Sequence, residues 1–120
     1  MMKRLFLIFS AVVLAIGALM HASAFNKVSL AVTKSDIASF AGNSLKVLWL
    51  ADSVTAMLLA AVFAIAAARP STASNWILML LAMIPATTAV LIYTFVGNFI
   101  GGHIMLAAGI AAFIGGLLRS

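Results

Sequence analysis

A chain of 120 residues that is 66% hydrophobic and only 8% charged, with a mean hydropathy of +1.27, has the length of one domain and lies far outside the composition of soluble proteins. Its net charge of +5 comes from seven Lys and Arg against two acids, but the basic residues stand singly near the ends of apolar runs, which suits orientation in a lipid bilayer and not nucleic-acid binding. With no Cys and no Glu, the sequence excludes disulfides, thiolate chemistry, cysteine-held clusters and the Glu-rich helical di-iron sites.

The expected architecture is an all-α membrane protein in which residues 1–120 form a single domain. It has four transmembrane helices and a short amphipathic surface helix before the second. The first span, residues 5–25, follows Lys3 and Arg4 and ends near His21. A basic start, an apolar stretch and Ala22-Ser23-Ala24 also describe a cleavable secretory signal, whereas the full run of about 20 apolar residues is enough to cross a hydrocarbon core. Both readings stay open here.

Residues 26–34 form a polar stretch in which Val28, Leu30 and Val32 alternate, read as extended or irregular. Ser35 then reads as a helix cap with Asp36 in the first turn. Over residues 35–46, Ile37, Phe40, Ala41 and Leu45 share a helical face while Asp36, Ser39, Asn43 and Lys46 fall elsewhere, as expected of a helix lying on the membrane surface.

The second span, residues 47–68, stops at Arg69-Pro70, where a charge and a proline end the helix. Ser74 or Asn75 can cap the third, residues 76–96, which opens on Trp76. Pro85 lies within it and should free the Leu81 carbonyl, with Thr87 and Thr88 the nearby side chains that could compensate. A tight connection around Gly97 leads to the fourth span, residues 99–118, closing with Arg119.

Placing both termini in the cytoplasm puts Lys3, Arg4, Arg69 and Arg119 inside and Lys27, Lys34 and Lys46 outside. A bacterial-type inner membrane is the expected location. Between helices in lipid, small residues supply the contact. Ala56, Ala60 and Ala64 recur every four residues in the second span; Ala108, Ala112 and Gly116 do so in the fourth, beside Gly102, Gly109 and Gly116 at every seventh position. These faces serve packing within one bundle, or contact with a second copy or other membrane subunits.

Folding this topology gathers the polar side chains at the outer end: His21, Lys46, Trp49, Asp52, Tyr93, Asn98 and His103. The cytoplasmic half is expected to hold almost nothing polar beyond the terminal basic residues. An acid within a span is costly and calls for a named partner, and His21, His103 and Lys46 are the candidates for Asp52. Three uses are open: fastening of helix ends, an ion relay through His and Asp, or a pocket for a lipid-soluble ligand lined by Trp49, Tyr93 and Lys46. Two His and one Asp could also hold a divalent ion, but they come from three helices without a local ligand motif, so no metal, cofactor or catalytic residue is assigned.

In length and number of spans the chain is similar to the small multidrug-resistance transporters. Those rely on a glutamate in the first helix; this sequence has no Glu, and the only internal polar residue of its first span is Ser10, so no residue is carried over. The resulting expectation is a non-catalytic accessory or scaffolding subunit of a membrane complex. The alternatives are a small transporter or ion-coupled permease using Asp52 with the histidines, and a membrane enzyme or binding protein for a lipid-soluble ligand.

Overall fold

The computed structural model describes residues 1–119. Helix α1 covers Met2–Ser23, α2 Phe25–Thr33, α3 Ser39–Ala68, α4 Asn75–Phe95 and α5 Ile100–Leu117, with one 3-10 turn at Pro70–Thr72. Four helical stretches among the described residues are long and apolar enough to cross a membrane: Met2–Thr33, Ser39–Ala68, Asn75–Phe95 and Ile100–Leu117.

The segment read as extended is helical. An isolated strand would leave its backbone groups without partners, whereas α2 satisfies its own. Ala24 joins it to α1 with ψ at −5°, well away from the helical value of about −42°, and so bends the rod at that point. The surface helix is also revised. Ser35 heads no helix: its hydroxyl donates to the Val32 carbonyl at 2.7 Å and accepts from the Ile37 amide at 3.4 Å, and Asp36 lies in a non-helical link. Helix α3 starts at Ser39 and runs unbroken into the span, since extending a helix forms a hydrogen bond for each residue ordered, while a bend would free several. Its first turns lie antiparallel to α2, and Gly42 permits the approach: a Cβ there would sit 2.7 Å from Val32 Cγ1. The molecule is 52 Å long, close to the roughly 48 Å of a 32-residue helical rod, so the α2–α3 hairpin projects beyond the shorter α4 and α5.

Ser74 caps α4 by accepting from the Ile77 amide, and Gly97, with φ at +91°, makes the turn into α5 that a side chain would strain. Pro85 is fully buried within α4. Thr88 does not compensate for it at Leu81; its hydroxyl donates to the Ile84 carbonyl at 2.9 Å.

Large apolar side chains face outward and small ones inward. Leu5, Phe9, Val12, Ile16 and Leu19 form an exposed stripe on α1, while the interior is mostly Ala and Gly around Leu7, Leu14, Phe63 and Leu78. This inversion suits a lipid surround, where close approach of backbones drives packing. Helix α1 is the centre, lying against both α3 and α5, and α4 packs along α5. Gly102, Gly109 and Gly116 face α4, meeting Tyr93, Ala86 and Met79, and Ser10 of α1 donates to the Ala108 carbonyl of α5 at 2.9 Å. Ala56 and Ala60 are buried as expected, but Ala64 is exposed. Each four-residue step overshoots a full turn by about 40°, so a strict four-residue stripe rotates off the seam. The buried face runs instead through Ala56, Ala60, Phe63 and Ala67.

The end carrying the chain start is not purely apolar. Lys3 is 4% exposed and donates to Asn75 Oδ1 at 2.7 Å, and Asn75 in turn donates to the Leu118 carbonyl at 3.4 Å.

Candidate functional site

Helices α3 and α4 are joined by a short loop at the Lys3 end, where fully buried Phe63 fills the core, and scarcely touch elsewhere. Toward the other end they diverge and leave a cleft of about 500 Å³. Its sides are α3, through Leu45, Leu48, Trp49 and Asp52, and α4, through Thr88, Leu91, Ile92 and Val96; α1 and α5 form the floor.

The expected polar residues do sit at this end, in two separate groups. On α5, the His103 ring lies between Tyr93 and Asn98. Its Nε2 is 2.8 Å from Asn98 Oδ1, which can only accept, so Nε2 carries the proton; in the neutral ring, Nδ1 then accepts from the Tyr93 hydroxyl at 2.7 Å. Both ring nitrogens are occupied, and the network ties α4 to α5 across the Gly97 turn.

The second group lies on the cleft wall. The His21 ring stacks on Trp49, with centroids 3.8 Å apart and planes 13° from parallel, and the Trp49 indole N–H donates to the His21 carbonyl at 2.8 Å. That carbonyl lies at the end of α1 beside the Ala24 bend, so Trp49 supports the bend. His21 Nδ1 and Ser53 Oγ are 2.8 Å apart, and His21 Nε2 is 3.7 Å from Asp52 Oδ2. Ser53, a buried residue, was not legible as a member of this group, because no motif marks it and only the rotation of α3 turns it inward beside Asp52.

Ser53, His21 and Asp52 have the connectivity of a nucleophile triad but not its geometry. Ser53 does not reach the cleft wall, and 3.7 Å is too long for the hydrogen bond that would orient the imidazole. A mid-helix serine also lacks free backbone amides to hold an oxyanion. His103 does not join His21 and Asp52, and no group of three or more metal-ligating His, Cys, Asp or Glu exists among the described residues. Lys46 stands six residues before Asp52 in the same unbroken helix, about 240° around it, and lies outside the group.

Fold and site together describe a four-span-length helical bundle, closed on three sides and open on the fourth at the end bearing His21 and Asp52. No protein-family model, curated protein or solved structure matches the chain.

Proposed function

We propose that this is a polytopic protein of a bacterial-type inner membrane, both termini cytoplasmic, that receives a lipid-soluble ligand in the cleft between α3 and α4. The observation that carries the reading is the divergence of α3 and α4 beside the His21–Asp52 pair on the cleft wall. A volume of about 500 Å³ suits a small-molecule ligand, and apolar walls with a few convergent polar groups are the usual make-up of such sites. A transporter reading would also use Asp52 and His21, but the core around Phe63 and the Lys3–Asn75 contact close the other end, so passage would require α3 and α4 to part.

The test is saturable binding of the neutral probe N-phenyl-1-naphthylamine to the full-length protein in nanodiscs, corrected for empty discs. Leu48 lines the cleft yet is 64% exposed, so Leu48→Trp fills the space without disturbing the core. It should weaken binding by about tenfold or more, equivalent to about 1.4 kcal/mol. Binding that is unsaturable, or indifferent to Leu48→Trp, would count against the proposal.

The accessory-subunit reading has one observation in its favour: the same open side could accept a helix of another membrane protein. A stable stoichiometric partner on purification in mild detergent would favour it over a small-molecule site.

A further inference from the structure

We infer that the cleft selects an organic cation: a lipid-soluble amine or quaternary ammonium whose charged head meets Asp52 and whose apolar body lies against α4 and α5. This rests on the cleft reading above and adds the charge of the ligand.

Asp52 is the only acid lining the cleft, and no Lys or Arg lines it. The Asp52 side chain is 40% exposed, and among the described residues it accepts no hydrogen bond. Its polar neighbour, His21 Nε2, is at 3.7 Å, whereas a closed charge-assisted pair sits at about 2.7–2.9 Å. The carboxylate on this largely apolar wall therefore has only the long contact to His21, and its exposed side is open to a cation entering the cleft.

An anion would meet Asp52 in repulsion, with no basic side chain on the walls to offset it. A zwitterionic phospholipid head brings a phosphate beside its ammonium, which offsets part of what the ammonium would gain at Asp52. A bare metal ion needs several ligating groups, and among the described residues no cluster of three supplies them. Lys46 does not line the cleft, and no ion pair joins it to Asp52. An organic cation satisfies the carboxylate, and the Trp49 ring, one face of which His21 covers, lies on the same wall.

The experiment uses full-length protein in nanodiscs with three probes: tetraphenylphosphonium, its near-isosteric anion tetraphenylborate, and neutral N-phenyl-1-naphthylamine, each corrected for partition into empty discs. Expected is saturable binding of the phosphonium, at least about tenfold tighter than of the borate. Asp52→Asn should remove that preference while leaving neutral-probe binding intact, which also shows that the variant is folded. If the neutral probe binds but the phosphonium has no advantage, or Asp52→Asn leaves the advantage unchanged, the cation inference is overturned and the cleft reading stands. If no probe binds saturably, both fall.

Discussion

Gly109 shows how much can hang on one hydrogen atom in a helix seam. A Cβ at this position would lie 2.9 Å from the Ala86 backbone nitrogen and 3.2 Å from the Ala82 carbonyl oxygen, and backbone cannot swing aside. Gly17 differs: its added Cβ would meet only Ile104 Cγ2, the tip of a partly exposed side chain. Gly109→Ala should therefore force α4 and α5 apart at a cost of about 1–3 kcal/mol, the range of core overpacking, and Gly17→Ala should cost less. Reversible unfolding in mixed micelles would compare them; equal losses would mean that the α4–α5 seam is not set by this contact. The seven-residue glycine spacing was visible in the sequence, but which helix the glycines face was not, because spacing defines a stripe and leaves its neighbour open.

At the scale of elements, the largest revision is the hairpin made by α2 and the first turns of α3. A segment with apolar residues on one face fits a flat membrane and an antiparallel helix equally well, so amphipathicity alone could not separate a surface helix from a projecting pair. Gly42 against Val32 separates them. Because the natural chain has no Cys, a Val32→Cys, Gly42→Cys double variant is a clean probe. Mild oxidation should form the intramolecular disulfide in high yield, since a Cβ at position 42 would lie 2.7 Å from Val32 Cγ1, close enough for the two sulfurs to meet. A surface helix lying away from α2 would leave both thiols free, as a gel-shift assay with a maleimide reagent would show. Helix stops were easier to read. Arg69-Pro70 and the Ser74 cap act through the backbone of their own segment and needed no tertiary knowledge.

For the whole molecule, the proposed orientation sets Lys3, Arg4, Arg69 and Arg119 against Lys27, Lys34 and Lys46, a narrow margin. Burial of Lys3 against Asn75 adds a packing role to one of these charges. Ser35 and Ser71 are exposed at opposite ends, so single Ser35→Cys and Ser71→Cys variants report on the two sides of the membrane. In intact cells a membrane-impermeant maleimide should label Ser35→Cys and spare Ser71→Cys until the cells are lysed. The reverse pattern would invert the topology and place the cleft at the cytoplasmic face. The central position of α1 bears on the signal-peptide alternative. Leu7, Leu14 and Ala18 are core residues between α3 and α5, so cleavage after Ala24 would leave those helices without their shared neighbour.

Hydropathy, the breakers and the small-residue content determined the four apolar helices and their order, because each of these acts within a window of about twenty residues and depends only on the local chain. The gathering of polar residues at one end also followed, since alternating helix direction is enough to collect them. Tertiary structure alone decided that His21 meets Ser53 and Trp49 while His103 is taken up by Tyr93 and Asn98, and that Asp52 is left facing a cleft. Those outcomes depend on the rotation of each helix about its axis and on which pair fails to pack, quantities summed over contacts along the whole bundle, to which no single segment holds the answer.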